Sequence, residues 1–340
     1  MKITYYSKYS AIGPSSRYRA YQYVDSFRAA GFDFRISELF DDRYFDILRS
    51  SGAAKNVKKI PYTLSRFFRR KKELHNDKSD LTVIEQQLFP YAPFFVEQKY
   101  LPDRYILEFD DAIYLTHPGK IPRVIKAAVG VIAGNETLAE FARALNRNVH
   151  VIPTALNTAV FKPGPKMQNN KLILGWSGLE YNFQYLKRIA AVLGHIVQKY
   201  GAEVVILSGS APSGLDFPFR FEKWDPEREI EQLQQFDIGL MPLKMDAWCK
   251  GKCGFKLLQY MSLEIPSVAT PIGVNEQIVR QGVNGFLAKE SSDWERYLSE
   301  LLTNRGLRAD MGKAARSTVL EGYSADVWFP RIVDLYNKYA

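Results

Sequence analysis

The chain has 340 residues, 46% of them hydrophobic, which is enough for two globular domains with separate cores. It has no apolar run long enough to span a bilayer, no signal-peptide pattern, and too few cysteines for a disulfide framework, so we predict a soluble, cytoplasmic protein. Its formal net charge of +9 favours anionic partners such as phosphorylated ligands, anionic lipid or nucleic acid.

Short β-like runs alternate with amphipathic segments of helix length, a pattern typical of parallel α/β units. Helices in the first half are predicted at Arg19–Ala30 and Leu138–Asn146. Asn157–Lys171, in which prolines and a glycine interrupt any periodic pattern, is predicted to be a linker. The predicted strands of this half are Ile3–Tyr6, Phe34–Glu38, Leu81–Glu85, Tyr105–Phe109, Gly130–Ala133 and Val149–Pro153.

A second series of alternating elements follows the linker. Its predicted strands are Leu172–Trp176, Val204–Ser208, Asp237–Pro242, Ser267–Thr270 and Gly285–Leu287. Its predicted helices are Tyr185–Tyr200, Glu227–Gln235, Lys256–Leu263, Glu276–Gln281, Trp294–Leu302, Leu307–Leu320 and Asp326–Tyr339. This order predicts two doubly wound α/β domains that face each other across a cleft, with ligands at the carboxyl ends of the strands.

The sharpest basic cluster is Arg66–Lys72, with the sequence Arg-Phe-Phe-Arg-Arg-Lys-Lys. Basic residues beside two phenylalanines are typical of a surface that contacts an anionic membrane. A solvated helix face or a loop would have the same composition, so the sequence leaves both interpretations open.

Two junctions, each a strand followed by a glycine loop and a helix, have the composition of anion sites. The first is Ala11–Arg19, where Gly13 permits close approach of the backbone and serines can cap the helix. The second is Gly175–Gly178, which precedes a predicted helix. The first junction lacks the G-x-G-x-x-G spacing, so a nicotinamide dinucleotide is not expected. A capped loop without a ligand remains the alternative.

Both cysteines, Cys249 and Cys253, lie within Asp246–Met261. Their C-x3-C spacing is not the C-x-x-C of redox sites, and no histidine lies nearby in the sequence to complete a zinc site. We therefore expect no metal here and interpret the cysteines as small, partly buried fillers.

The glycines and lysines of the same segment indicate an anion site. Gly251 and Gly254 provide flexible backbone at a predicted helix start, where unpaired N–H groups carry roughly half a positive charge. Lys252 and Lys256 add positive charge at that end, which is unfavourable unless an anion binds there. The segment therefore predicts a phosphate or diphosphate site, with lysines that point into solvent as the alternative.

Carboxylates cluster at the end of the strand predicted over Tyr105–Phe109. Glu108, Asp110 and Asp111 can hold sugar hydroxyls or a metal, or act as a base. Capping of the next turn by either aspartate explains them equally well. His117 follows a few residues later and is a weaker candidate for the same site.

Several ordered motifs resemble family-4 retaining glycosyltransferases of the GT-B fold. The resemblance implies that residues 161–325 form the domain that binds a nucleotide-sugar donor and residues 1–160 the domain that binds the acceptor, with the final helix, 326–340, crossing back onto the first domain. The segments that carry the resemblance are Val151–Pro163, Phe236–Leu243, Gly254–Met261, Ile265–Asn275 and Asn284–Leu287.

The resemblance also guides the choice of site residues. Lys256 is a catalytic candidate, joined by Asp110 and Asp111. The nucleotide base is expected near Gly209 and Lys223–Pro226. The candidate donor-binding residues are Gly13, Ser177, Gly178, Gly209, Trp224, Lys252, Gly254, Phe255, Leu257 and Gln259. The candidate acceptor-binding residues are Ser15, Arg17, Arg19 and His117.

The family carries two glutamates with seven residues between them, and both are missing here. The ribose-binding glutamate falls on Gln259, which can still bond hydroxyls, and the sugar-binding glutamate falls on Gly251. Lys250, Lys252 or Trp248 are the candidates to replace the lost sugar contact.

A basic pair that follows the first strand of the donor domain in the family is also missing. Ser177 and Gly178 stand there, and basic residues come only later, at Lys187 and Arg188. Lys256 is therefore expected to meet the diphosphate.

These observations predict a glycosyltransferase that moves a sugar from a nucleoside-diphosphate sugar to an acceptor hydroxyl with retention, in polysaccharide, lipid-linked glycan or glycoprotein assembly for the cell envelope. No cofactor or metal is expected, and the protein is expected in the cytoplasm, peripheral to the membrane. The alternative is a non-catalytic protein of the same fold that binds a nucleotide sugar or glycan, since the glutamate pair is lost. A nucleic-acid partner is suggested by charge alone and is not expected.

Overall fold

The computed structural model describes residues 1–49, 53–165 and 170–340. It divides into two compact units, one formed by Met1–Ala155 with Ala325–Ala340 and the other by Leu156–Ser324. Each unit is built on a six-stranded parallel sheet, which confirms the predicted α/β class.

The sheet of the first unit reverses its winding between its first and third strands. Its strands are β1 (Lys2–Tyr9), β2 (Asp33–Phe40), β3 (Leu81–Glu85), β4 (Ile106–Phe109), β5 (Gly130–Ala133) and β6 (Val149–Val151). They lie in the order β2-β1-β3-β4-β5-β6, and every neighbouring pair is parallel. Ligands of such sheets bind where the winding reverses, here at the carboxyl ends of β1 and β3.

The helices of the first unit are shorter and more interrupted than predicted. The single helix predicted at Arg19–Ala30 is wrong, because the chain forms two helices joined by a 3-10 turn at Tyr21–Tyr23. The backbone leaves the helical region at Ala20, with φ -126 and ψ -61, and the first helix ends there. The helices are α1 (Pro14–Arg19), α2 (Val24–Ala29), α3 (Asp42–Arg49), α4 (Ala53–Asn76), α5 (Phe94–Glu97), α6 (Ile121–Ala127) and α7 (Glu136–Arg143).

Helix α4 contains the basic cluster Arg66–Lys72 and presents its residues to two different environments. Arg66 and Arg70 are 8% and 1% exposed, and their guanidinium groups donate to strand carbonyls, including Leu39 O and Ser7 O at 2.6 and 2.9 Å. Arg66 and Arg70 therefore do not contribute to an exposed basic surface, because these two side chains satisfy backbone acceptors in the interior.

The sheet of the second unit reverses between β7 and β10. The strands are β7 (Ile173–Ser177), β8 (Glu203–Ser208), β9 (Arg220–Lys223), β10 (Ile238–Met241), β11 (Ser267–Ala269) and β12 (Phe286–Leu287). They lie in the order β12-β11-β10-β7-β8-β9, all parallel. Strand β9 was not predicted: it is a short, charged edge strand, and such strands lack the apolar run that marks a central one.

The helices of the second unit follow the predicted order with one break. The helix predicted at Tyr185–Tyr200 is divided at Ile189. The backbone of Ile189 leaves the helical region, and its side chain is buried. The helices are α8 (Phe183–Lys187), α9 (Ala190–Tyr200), α10 (Glu229–Gln234), α11 (Ala247–Lys250), α12 (Phe255–Ser262), α13 (Asn275–Ile278), α14 (Ser291–Thr303) and α15 (Arg305–Gly322).

The last helix, α16 (Ala325–Tyr339), belongs to the first unit. Its Ile332, Leu335 and Tyr336 are buried in the same hydrophobic cluster as strands β1 and β3. The Tyr339 hydroxyl lies 2.9 Å from His150 Nε2 on β6. None of the helices in the described part of the chain is long and apolar enough to cross a lipid bilayer.

The segment predicted as a linker, Asn157–Lys171, begins inside the second unit. Phe161 is 5% exposed, and its carbonyl accepts bonds from the Ser262 hydroxyl and the Arg316 guanidinium. The beginning of this segment is therefore packed in place. Residues 166–169 of the predicted linker lie outside the described residues.

Candidate functional site

The predicted anion-binding segment lies at the point where the second sheet reverses. Helix α11 and then helix α12 follow strand β10, and Gly254 precedes α12 with a left-handed backbone, φ +64. A β-carbon on Gly254 would lie 2.7 Å from Ile278 Cδ1, so both the backbone and the close packing require glycine. The first turn of α12 contains no acidic residue, and Lys256 is the second residue of the helix.

Lys256 connects the start of α12 with the loop that follows β7. Its Nζ lies 5.9 Å from the centre of the Trp176 ring. A β-carbon on Gly178 would lie 2.5 Å from that ring and 3.0 Å from Lys256 Cε. Because only glycine leaves this space, the lysine, the indole and the loop backbone approach one another closely. The predicted catalytic residue Lys256 and the predicted donor-binding residue Gly178 therefore lie close together, beside Trp176.

Ser177 and Gly178 are held by backbone hydrogen bonds from two sides. The Ser177 N–H donates to the Tyr260 hydroxyl of α12 at 2.9 Å, and the Gly178 N–H donates to Leu207 O of β8 at 3.0 Å. Ser208, the next residue of β8, is 1% exposed, and its hydroxyl has no hydrogen-bond partner among the described residues. Gly209, predicted near the nucleotide base, follows directly.

Lys252 lies between the two short helices, with its Nζ 5.7 Å from the centre of the Trp248 ring. Cys249 is buried, and its thiol donates to the Tyr185 hydroxyl at 3.2 Å. Burial raises the pKa of this thiol, which keeps it protonated and unreactive. Cys253 is half-buried, and both cysteines are in the thiol form. Within the described residues, no group of three or more His, Cys, Asp or Glu side chains could hold a metal ion.

A carboxylate that the sequence analysis missed lies beside Gln259. Glu229 Oε1 accepts a hydrogen bond from Gln259 Nε2 at 3.2 Å and another from Trp224 Nε1 at 3.1 Å. Gln259 is 4% exposed, and Glu229, the first residue of α10, is half-buried. Glu229 and Gln259 are thirty residues apart in the chain, so no local pattern could have predicted the pair.

Leu257, a predicted donor-binding residue, lies in the first turn of α12. Its side chain is fully buried, and its N–H donates to Gly254 O at 2.9 Å within the first turn of α12. The Leu257 N–H is therefore bonded within the helix, and the contact of this part of the backbone with the donor stays a prediction. Phe255, which precedes it, is half-buried.

A second polar cluster lies where the first sheet reverses, at the ends of β1 and β3. Glu85 is 1% exposed, and its Oε2 accepts bonds from the Ser16 hydroxyl at 2.7 Å and the Lys8 N–H at 3.3 Å. Burial, with a smaller contribution from Asp110, raises the pKa of Glu85 to about 7, although the Ser16 hydroxyl opposes the shift. The sequence analysis did not select Glu85, because it ends an apolar strand without a recognisable motif.

Gln86 continues this cluster with an unusual backbone. Its φ is +62, a conformation that non-glycine residues adopt at a cost and that is frequent at functional sites. Gln86 Nε2 donates to Asp110 Oδ1 at 3.3 Å, and Lys8 Nζ donates to Gln86 Oε1 at 3.3 Å. The predicted carboxylate Asp110 thus lies in a buried polar network with a lysine, at the carboxyl end of β4.

His117 lies near this network and lines a pocket of about 350 Å³ that also includes Phe94 and Arg123. Its Nδ1 lies 2.8 Å from the Thr116 hydroxyl. Burial, together with the positive charges of Lys120 and Lys8, lowers the pKa of His117, so the imidazole is neutral at pH 7. Its position is compatible with the predicted contact to an acceptor.

Arg19, a predicted acceptor-binding residue, has a buried side chain in the first unit. The side chain is 6% exposed, and its Nε lies 2.5 Å from Glu108 Oε1 in an internal ion pair. Its other nitrogens donate to the Thr154 hydroxyl and Ile152 O at 3.1 and 3.0 Å. Glu108 is 4% exposed and accepts a bond from the Tyr5 hydroxyl, so both side chains are hydrogen-bonded inside the first unit. Acceptor binding by Arg19 stays a prediction.

The remaining predicted residues of the first loop lie on or before α1, which has only six residues. Gly13 precedes the helix, and a β-carbon there would lie 2.5 Å from Tyr9 Cβ, so glycine is required for packing. Arg17 Nε donates to Ala11 O at 2.7 Å, which stabilises the loop. Ser15 is half-buried and Asp111 follows Asp110 at the end of β4.

The chain is similar to known proteins in part of its sequence and in its fold. Residues 219–318 match the model of the family described as Glycosyl transferases group 1. A comparison with curated proteins finds no match.

Several solved structures have a similar fold at low sequence identity. Sucrose-phosphate synthase from Thermosynechococcus elongatus superposes with a TM-score of 0.74 at 14% identity, covering 99% of this chain and 98% of that one. A glycosyltransferase from Rickettsia africae gives 0.70 at 13%, with 99% and 98% covered. HepE from Anabaena, solved with UDP and glucose, gives 0.71 at 13%, with 99% and 100% covered. The chain therefore has the GT-B fold and carries a glycosyl transferases group 1 domain over residues 219–318.

Proposed function

We propose that this protein is a retaining glycosyltransferase that transfers a sugar from a nucleoside-diphosphate sugar to an acceptor hydroxyl. The observation that carries the proposal is the position of Lys256, at the start of α12 and beside Gly178 and Trp176. The group 1 domain, which includes this helix, supports the same reaction class. The proposed setting is polysaccharide, lipid-linked glycan or glycoprotein assembly on the cytoplasmic side of the cell envelope.

The proposed role of Lys256 follows from the charge that develops during transfer. As the bond between the sugar and the diphosphate breaks, negative charge grows on the leaving phosphate. A lysine and helix N–H groups that meet this charge stabilise the transition state more than the ground state. We expect Lys252 and the loop at Ser177 and Gly178 to contact the same diphosphate. The leaving oxygen can take the acceptor proton, so no strong protein base is needed.

The proposed site uses lysine and backbone groups for the diphosphate in place of a metal. The support is the chemistry of the segment 251–256, which supplies two lysines and no carboxylate. Transfer that continues in the presence of a chelator agrees with this part of the proposal, and transfer restored only by added divalent cation contradicts it.

We propose that the first unit binds the acceptor through the network at the ends of β1, β3 and β4. Lys8, Gln86, Asp110 and the neutral His117 offer hydrogen-bond donors and acceptors suited to a sugar with several hydroxyls. Asp110 and Asp111 are carboxylates that can orient such hydroxyls. This part of the proposal concerns the first unit alone.

Donor use is the test of the proposed reaction. Purified protein incubated with a panel of uridine, guanosine, adenosine and thymidine diphosphate sugars should release the diphosphate from one of them, by transfer or by slow hydrolysis. The anomeric configuration of the product, read by NMR, should match that of the donor. Binding of a donor with neither transfer nor hydrolysis would instead favour the non-catalytic alternative, which the absent glutamates at 251 and 259 motivate.

We propose that Glu229 supplies the carboxylate that binds the donor ribose, because it lies 3.2 Å from Gln259. Replacing Glu229 with glutamine should weaken binding of the nucleoside diphosphate about tenfold or more, since a hydrogen bond to a charged group is worth about 1.5–3 kcal/mol. The dissociation constant measured by calorimetry tests this.

The control for Glu229 is Glu231→Gln, an exposed glutamate of the same helix whose partner is Arg228. A nucleoside diphosphate that lacks both ribose hydroxyls should bind the Glu229→Gln variant and the unmodified protein equally. If Glu229→Gln weakens binding of the ligand without ribose hydroxyls as much as binding of the natural one, Glu229 acts through the fold and not through a contact with the ribose.

A further inference from the structure

The outer face of α4 carries a row of exposed apolar side chains. Val57, Ile60, Leu64 and Phe68 are 70%, 62%, 52% and 71% exposed. Their spacing of three and four residues places them on one side of the helix, and we name this row the α4 stripe. Large apolar residues gathered on one exposed face mark an interaction surface.

The inner face of α4 shows that this orientation is set by packing. Arg66 and Arg70 donate to backbone carbonyls of β1 and β2. The Tyr62 hydroxyl donates to Asp41 at 2.8 Å, and Phe67 packs edge-on against Phe89. Because these contacts hold the helix in one rotation, the α4 stripe cannot turn inward without breaking buried hydrogen bonds.

The charge around the stripe is almost entirely positive. Lys58, Lys71 and Lys72 are exposed on α4, and Glu73, the acidic residue of this helix, pairs with the exposed Arg69. The net charge of the whole chain is also positive, at +9. An apolar row flanked by lysine and arginine is the arrangement with which amphipathic helices lie in the surface of an anionic bilayer.

We propose that α4 docks this protein on anionic membrane surfaces, with the α4 stripe in the acyl region and the flanking cations at the lipid phosphates. A second copy of the chain is a poorer occupant, because a two-fold interface would place the same positive charges against each other. A helix of about 36 Å offers a long contact parallel to the membrane. The proposal goes beyond glycosyl transfer and does not require it.

Vesicle binding of the full chain, without any donor, tests the proposal. The protein should sediment with vesicles of phosphatidylcholine mixed with phosphatidylglycerol, and much less with phosphatidylcholine alone. The variant Leu64→Ser/Phe68→Ser should lower the partition coefficient about tenfold or more. The variant Lys58→Gln/Lys72→Gln should lower it roughly fivefold for each lysine replaced, and added salt should have a similar effect.

A matched control removes exposed apolar side chains elsewhere. Val283 and Leu320 of the second unit are 49% and 41% exposed, and Val283→Ser/Leu320→Ser should leave vesicle binding unchanged. As an independent measurement, Phe68→Trp should add fluorescence that brominated lipids quench, compared with the unmodified protein.

Four results would overturn the proposal. They are absence of binding to the anionic vesicles, equal binding to neutral vesicles, unchanged binding of Leu64→Ser/Phe68→Ser, and added fluorescence in the Phe68→Trp variant that brominated lipid does not quench. Sedimentation velocity tests the alternative occupant, a second copy of the chain. If the unmodified protein does not bind vesicles but forms a dimer, and Leu64→Ser/Phe68→Ser dissociates that dimer, the α4 stripe mediates self-association.

Discussion

Replacing Lys256 with methionine should lower the rate of sugar transfer about 10²–10³-fold, with little change in the temperature of unfolding. Methionine keeps an unbranched apolar stem over Trp176 and beside Gly178 but removes the charge that we place on the leaving diphosphate. Removing one donor of this kind typically costs about 2.7–4 kcal/mol of transition-state stabilisation. Steady-state kinetics with the donor identified in the panel measures the loss.

The control for Lys256 is Lys199, another lysine of the second unit that lies over an aromatic ring, with its Nζ 5.3 Å from the centre of Tyr200. Lys199→Met should leave kcat and KM unchanged, and Lys256→Arg should restore part of the activity because it keeps the charge. If Lys256→Met retains full kcat, or loses activity only because it unfolds, the lysine does not act on the leaving group.

Replacing Glu85 with glutamine should stabilise the protein at pH 8 by up to about 3 kcal/mol relative to the unmodified chain. The pKa of Glu85 is raised to about 7 in the folded state, chiefly by burial, from 4.5 in the unfolded chain. A raised carboxyl pKa means that folding favours the neutral form. The unmodified protein therefore loses stability as pH rises from about 4.5 to 7, and each pKa unit corresponds to about 1.4 kcal/mol.

Glutamine is always neutral and can still accept the hydrogen bond that the Ser16 hydroxyl donates to Glu85. Urea unfolding at several pH values should show the difference between the two proteins near zero at pH 4.5 and fully developed above pH 7. Glu321→Gln, at an exposed position, serves as the control and should give a flat difference. A Glu85→Gln variant that is equally destabilised at every pH would mean that the site holds the carboxylate charged.

The strands and the fold class could be predicted because their cause is local. Each central strand of a parallel sheet is covered on both faces, so it appears in the sequence as a short apolar run such as Leu81–Glu85 or Gly130–Ala133. The glycines around residue 254 marked the start of α12, and Gly254 adopts the left-handed backbone found there without the cost that a side chain would add. Lys256 followed from the same segment, because its charge opposes the helix dipole.

The contacts of individual polar side chains could not be predicted, because they depend on residues far away in the chain. Arg19 pairs in the interior with Glu108, eighty-nine positions later in the chain, and no local pattern predicts that contact. Glu229 became part of the candidate site only through Gln259 and Trp224. Strand β9 has a charged sequence and forms because β8 offers it an edge.

The basic helix shows the same division between local pattern and tertiary contact. The sequence of Arg66–Lys72 by itself determined a strongly cationic, amphipathic segment. Only the tertiary structure decided that Arg66 and Arg70 turn inward to strand carbonyls while Leu64 and Phe68 face outward. The rotation of a helix is set by the partners that its inner face satisfies, and those partners lie on strands that the local sequence does not contain.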